Sequence, residues 1–133
     1  MKNHKGITLI ELLIIVVIIG TLAVLAVPRF MDGTMKSRQF VAKATLLEIA
    51  IAEQDYFFAN GYYADLTVNC VAGEQFPTLG YTIRENTPYS FTIMPTRDGC
   101  SISAKADLDD DGAWDWWSIT PGDTPVCVEN DLE

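Results

Sequence analysis

The 133 residues predict an α+β protein, a long N-terminal α-helix packed on a small antiparallel sheet of about four strands. Three observations carry that expectation. An apolar run opens the chain, three- and four-residue apolar spacing continues beyond it, and short alternating runs bounded by turn residues fill the C-terminal part. The first half of the helix is expected to span a membrane and the second half to be amphipathic.

The run is Ile7 to Val27, 21 residues in which Glu11 is the only charged side chain. About 20 apolar residues suffice to cross a bilayer as a helix. Lys2 and Lys5 precede the run, which orients a single span with its N-terminus in the cytoplasm. A carboxylate inside lipid costs about 2.5–3.5 kcal/mol, so Glu11 calls for a partner. A positive start, an apolar stretch and small residues at Ala23–Ala26 also describe a secretory signal, cleaved after Val24-Leu25-Ala26 to leave Val27 first. Retention of Met1 would make a plain anchor. A signal core runs about 7–15 residues, shorter than this run, and neither alternative accounts for Glu11.

Helical spacing continues through Phe40, Ala44, Leu47, Ile51 and Phe58, with Val41, Leu46, Ile49 and Ala50 widening the apolar face. Lys36, Arg38, Lys43, Glu48, Glu53 and Asp55 fill the remaining positions and read as the solvent side. Asn60-Gly61 is a helix stop, because glycine accepts the left-handed geometry after the last turn. A helix from Ile7 to about Ala59 would be roughly 80 Å long. Pro28 and Asp32-Gly33 weaken its middle, predicting a bend or a melted stretch between Gly20 and Gly33.

Residues 62–79 lack a period and hold Gly73 and Pro77, so a loop over the helix is expected. Strand-like runs follow at Tyr81–Arg84, Tyr89–Met94, Cys100–Ala106 and Trp116–Thr120, separated by turns at Asn86-Thr87-Pro88 and Arg97-Asp98-Gly99. Alternation places Trp116 and Ser118 on one face of the last strand and Trp117 and Ile119 on the other. One face is core, and the other is a candidate contact between subunits.

Composition excludes several functions. With 9 basic and 18 acidic residues the net charge is −9, a surface that repels phosphate backbones and argues against nucleic-acid binding. The only histidine is His4, and no Cys/His zinc spacing, GxSxG or phosphate loop occurs, so no enzyme activity and no organic cofactor is expected. Cys70, Cys100 and Cys127 allow one disulfide and one remaining thiol if the C-terminal part is exported. An antiparallel third and fourth strand would return Cys127 toward Cys100, with Cys70 as the competing partner of either.

Asp107-Leu108-Asp109-Asp110-Asp111-Gly112-Ala113-Trp114-Asp115 matches the first nine positions of an EF-hand-type calcium loop. Asp107, Asp109 and Asp111 alternate so that their carboxylates converge, Gly112 allows the sharp turn, the Ala113 carbonyl is the seventh-position ligand, and Asp115 the ninth. Ser118 stands where a bidentate glutamate belongs, and Asp123 or Glu129 are candidates to complete the shell. A solvated acidic turn is the alternative, although so many acids within nine residues repel one another without a cation.

KGITLIELL, with glycine before an apolar residue, Thr8 second and Glu11 fifth after it, resembles the processing site of type IV pilins and type II secretion pseudopilins. The resemblance extends over about 55 residues, with Gly20 and Pro28 at the positions of that family's glycine and proline. It implies removal of a leader, residues 1–6, after Gly6 by a prepilin peptidase, and N-methylation of Ile7, where phenylalanine is commoner. Loss of Lys2 and Lys5 then leaves seven basic residues against 18 acidic, or −11. Residues 7–33 become the membrane and assembly segment and 34–133 the globular head, made of helix 34–59, loop 60–80, and sheet and tail 81–133. The implied protein is a single-pass inner-membrane precursor, passed by membrane assembly machinery into a homo-oligomeric helical filament at the cell surface, as a major pilin. A periplasmic pseudopilus subunit and an anchored or secreted calcium-binding domain that never polymerises are the alternatives. In the filament, the Ile7 amine of one copy neutralises Glu11 of another, with Gly20 and Pro28 also in the assembly segment, and the weakened stretch lets the fibre extend under load. The family also implies calcium near the end of the sheet, and a disulfide closing the C-terminal region. The aromatics Phe30, Phe40, Tyr56, Phe57, Phe58, Tyr62 and Tyr63 are read as core and interface, with electron conduction as the alternative.

Overall fold

A computed structural model describes residues 6–64, 68–96 and 99–131. Helix α1, Leu9–Asn60, runs for 52 residues and is followed by β1 (Asn69–Cys70), β2 (Gln75–Phe76), β3 (Tyr81–Thr82), β4 (Ser90–Thr96), β5 (Gly99–Ala106), β6 (Asp115–Ile119) and β7 (Val126–Glu129). Residues 1–5 of the expected leader and Arg97-Asp98 of the expected turn lie outside the described residues. The chain divides into two compact units, Met1–Thr34 and Met35–Glu133.

The melted stretch expected between Gly20 and Gly33 is corrected, because the α-helix is continuous through Gly20, Pro28 and Gly33. Proline removes one backbone bond, and the leucines, alanines and methionine around it keep the remaining turns in register. Asn60 ends α1 as expected, and Gly61 takes φ +80°, donating its N–H to the Phe57 carbonyl at 2.7 Å.

Five strands, not four, form the main sheet in the order β1-β4-β5-β6-β7, all antiparallel, and β2-β3 makes a separate hairpin. The first expected run, Tyr81–Arg84, shrinks to the two residues of β3, which pair with β2 away from the main sheet. The two edge strands carried no alternating pattern: β1 is two residues long and all four residues of β7 are exposed. Inward-facing residues align across the ladder, Phe91 opposite Ala104 opposite Trp117, and Ile93 opposite Ile102 opposite Ile119.

The face of α1 against this core differs from the expected one. Gln39, Ala42, Thr45, Leu46, Ile49, Ala50 and Glu53 are the buried residues, whereas Phe40, Leu47, Ile51 and Phe58 are exposed. The true core stripe keeps helical spacing but begins and ends on polar residues, which hid it among apolar neighbours.

The disulfide between Cys100 and Cys127 is also corrected. Cys70, Phe91, Ala104, Trp117 and Cys127 form one cross-strand row, with Cys70 and Cys127 at opposite edges and Cys100 four residues along β5 from Ala104. Two strand spacings and four residues of rise put Cys100 roughly 16 Å from either of the others, far beyond the roughly 7 Å a bridge tolerates. Both Cys70 and Cys100 are buried, and burial first, then the nearby Glu53 charge, pushes the Cys100 thiol up to about 12.

Glu53, expected on the solvent face, is fully buried. Its Oε2 accepts from the Ala64 N–H at 3.1 Å, and its Oε1 has no partner. Burial raises the carboxyl above its ordinary 4.5, and the Ala64 N–H offsets part of that rise. The folded chain therefore holds this proton more tightly than the unfolded one. The resulting stabilisation is complete below about pH 4.5 and is lost as pH rises through the elevated folded value. Glu53→Gln keeps an acceptor for Ala64 and cannot ionise. It is expected to raise the melting temperature at pH 7.5 by about 4 °C or more, with the gain shrinking toward pH 4.5. Equal melting curves for both proteins at pH 7.5 would contradict this account.

Candidate metal centre and assembly surface

At the start of α1, Thr8 and Glu11 cap the helix reciprocally. Glu11 Oε2 accepts from the Thr8 N–H at 2.8 Å and from Thr8 Oγ1 at 2.7 Å, and the Glu11 N–H donates to Thr8 Oγ1 at 3.3 Å. Thr-x-x-Glu is a capping box, a signal present in the sequence but not used in reading it. Glu11 thus has partners within its own chain, and among the described residues it makes no ion pair. Gly6 and Ile7 lie just before this turn and are exposed, Gly20 faces open space within the helix, and Pro28 is inside α1. By length and composition α1 can cross a membrane, and none of its most apolar window is buried.

The head half of α1 carries a second apolar stripe. Phe40 is 73% exposed, Ile51 58% and Phe58 81%, with Leu47 between them. Phe57 stacks on Tyr63 with centroids 4.6 Å apart, and Tyr56 meets Tyr62 edge-on at 5.8 Å. On the sheet, Trp117 and Ile119 are buried, while Trp116 and Trp114 remain on the surface beside Lys105, whose Nζ lies 4.4 Å from the Trp114 ring centroid.

The acidic loop runs from β5 to β6. The Asp107 carboxylate accepts from the N–H groups of Asp110 at 2.7 Å and Gly112 at 3.0 Å, and Asp111 Oδ1 accepts from the Ala113 N–H at 2.7 Å. Gly112 takes φ +91° and Asp110 φ +62°, the left-handed geometry needed to fold the aspartates inward. Carboxylate oxygens of Asp107, Asp109, Asp111 and Asp131 lie within 4.8 Å of one another.

Asp131 takes the place expected for Asp115, and neither Asp123 nor Glu129 joins the cluster. The sheet explains why. The Trp116–Glu129 pairing delivers the residues after β7 to the loop end of β6, whereas Asp123 sits in the turn at the opposite end. Asp131 is 8% exposed, its Oδ2 accepts from the Leu108 N–H at 2.6 Å, and its Oδ1 has no partner. Burial raises its carboxyl above the ordinary range and the charges of Asp109, Asp111 and Asp107 add to the rise, against the Leu108 N–H. A strand at Val126–Glu129 paired to Trp116 was the missing signal. Four carboxylates with one unpartnered buried oxygen form a hard oxygen donor set that fits calcium.

Asp115 does something else. It is fully buried, its Oδ1 accepts from Gln39 Nε2 at 2.7 Å, and its Oδ2 accepts from Trp117 Nε1 at 2.6 Å and from the Tyr89 hydroxyl. Burial, and then this bond to Asp115, pushes the Tyr89 phenol above its ordinary range. The same Gln39 nitrogen donates to Asn130 Oδ1 at 3.0 Å.

Residues 1–27 match the model of the prokaryotic N-terminal methylation motif. Over 129 residues the chain is 29% identical to the type IV major pilin protein PilA of Myxococcus xanthus, covering 97% of this chain and 50% of that protein. The chain is similar to type IV pilins and pseudopilins. It is 37% identical over 104 residues to the type IV major fimbrial protein FimA of Dichelobacter nodosus, covering 74% of this chain and 65% of the other. With the type II secretion system core protein G of Pseudomonas aeruginosa it shares 39% identity over 62 residues, 47% of this chain and 44% of that one. The chain spans half the length of the Myxococcus relative and 38% of a Pseudomonas aeruginosa fimbrial protein. No solved structure matches.

A structural Asp115 predicts that Asp115→Ala destabilises the head by about 3 kcal/mol or more, because three donors lose their buried acceptor. Thermal unfolding should register most of that loss in EDTA as well as in calcium. A loss seen only in calcium would make Asp115 a ligand instead.

Proposed function

We propose that this chain is the structural subunit, as major pilin, of a type IV pilus-like extracellular filament. It enters the inner membrane as a single span through Ile7–Val27. A prepilin peptidase removes residues 1–6, Ile7 is N-methylated, and inner-membrane machinery adds the subunit to a growing helical polymer. The observation that carries this reading is the surface of α1. Its apolar side chains stay exposed from Ile7 to Phe58 although the opposite side of the head helix already holds a complete core. Burying side chains of this size is worth about 1.5–3 kcal/mol each, and a second copy of the helix offers the matching surface. The Thr8 cap holds the Glu11 carboxylate in one place, ready for the amine of a neighbouring Ile7. In a dry bundle that pairing sets register more than it adds net stability.

The second reading, a type II secretion pseudopilin, is supported by the 39% identity to core protein G. In either case we assign Asp107, Asp109, Asp111 and Asp131 to a calcium ion. Its role is to neutralise four converging carboxylates and fasten the tail.

Ile51→Glu is expected to abolish surface filaments in electron micrographs while leaving the head's stability within about 0.5 kcal/mol, since Ile51 is exposed and outside the core cluster. Glu11→Leu should do the same, and the mature mass should correspond to N-methyl-Ile7. Filaments of normal number from both variants, or a terminus at Met1 or Val27, would end this reading. Calcium should raise the melting temperature of the wild type and leave Asp109→Asn nearly unmoved. Calorimetry with no binding heat would remove the ion from the proposal.

A further inference from the structure

We infer that Gln39 of α1 is a positioning residue for the cation site, holding the C-terminal tail so that Asp131 reaches the acidic loop. This rests on the reading of that loop as a divalent-cation site. The tail leaves the β6–β7 ladder at Glu129, so strand pairing no longer places the two residues that follow. They are placed instead by side chains pointing in different directions. Asn130 Oδ1 accepts from Gln39 Nε2 at 3.0 Å, and Asp131 Oδ2 accepts from the Leu108 N–H at 2.6 Å. The second of these bonds leaves Asp131 Oδ1 buried and unpartnered among Asp107, Asp109 and Asp111.

Gln39 is 8% exposed and spends both protons of its amide nitrogen here, one on Asn130 and one on Asp115 Oδ1 at 2.7 Å. Asp115 is the first residue of β6 and the last of the acidic loop. One amide nitrogen on the helix therefore fixes the far end of the loop and the start of the tail, the two pieces that must stay in register for four carboxylates to converge. Neither piece touches the loop's own hydrogen bonds, which lie among Asp107 to Ala113. The helix thus sets Asp131 without contributing a ligand.

Coupling of this kind is reciprocal. Whatever Gln39 contributes to cation affinity, the bound cation returns as a firmer hold of the tail on α1. A free head and a cation-loaded head then differ in how tightly α1 is clamped at Gln39, on the same helix whose outer stripe is left for neighbouring copies.

The test uses the full chain in detergent micelles, titrated with calcium by calorimetry and with terbium by luminescence sensitised from the neighbouring tryptophans. Gln39→Leu removes both donors. It is expected to weaken calcium binding about tenfold and to add about one water to bound terbium, counted from lifetimes in H₂O and D₂O, as Asp131 swings out. Asn130→Ala cuts only the tail side, leaves the Gln39–Asp115 bond in place, and should reproduce both effects if Gln39→Leu fails to fold. Asp123→Asn removes the same charge as a ligand variant outside the network and should bind as the wild type does. Wild-type affinity and hydration in Gln39→Leu and Asn130→Ala, with binding still lost in Asp131→Ala, would overturn the positioning role while sparing the site. A wild-type chain that binds neither ion would overturn the site and this inference together.

Discussion

A carboxylate with no access to water must have its oxygens satisfied, and Asp115 meets that demand with donors from three directions. Gln39 comes from α1, Tyr89 from the residue before β4, and Trp117 from β6 itself. Each donor is buried, so none of them can turn to water if the acceptor is lost. The arrangement ties helix to sheet at the level of the acidic loop. It also sets the rotation of α1, because Gln39 can face Asp115 only if Ala42, Leu46, Ile49 and Glu53 face the sheet with it. The outward position of Phe40, Leu47, Ile51 and Phe58 follows from that rotation.

A helix with apolar residues on two sides is a liability in an isolated chain and a requirement in a polymer. The head needs only one side. The other is continuous in sequence with the apolar N-terminal run, so in the proposed filament the surface that meets lipid and the surface covered by other copies belong to one element. Glu11 fits the same logic. Its capping bonds with Thr8 occupy one carboxylate oxygen, and a cation brought by a neighbour is the natural complement of its charge.

Much of this was legible in the residues. The apolar run with its lone Glu11, the N-terminal methylation motif, the helix stop at Gly61, three of the strands and the acidic loop all depend on local patterns legible along the chain. The rest depended on neighbours distant in sequence. The core stripe of α1 was misread because hydrophobicity alone cannot choose between two apolar faces of one helix, and its ends are a glutamine and a glutamate. Strands of two residues, or of four fully exposed ones, carry no alternation to read. The cysteine pairing failed because it depends on which strand lies beside which, and β7 adds to the far side of β6.

The division is sharpest at the acidic loop. Sequence alone determined that a cluster of carboxylates would form there, since Asp107, Asp109, Asp111 and Gly112 act within a few residues of one another through their own backbone. Which fourth carboxylate joins them was a tertiary decision. Asp115 is nearer in sequence but is turned into the core by three donors, and Asp131 is nearer in space because an antiparallel strand carries the tail back to where the loop begins. Short-range geometry can be read along a chain, whereas long-range register exists only once the sheet has formed.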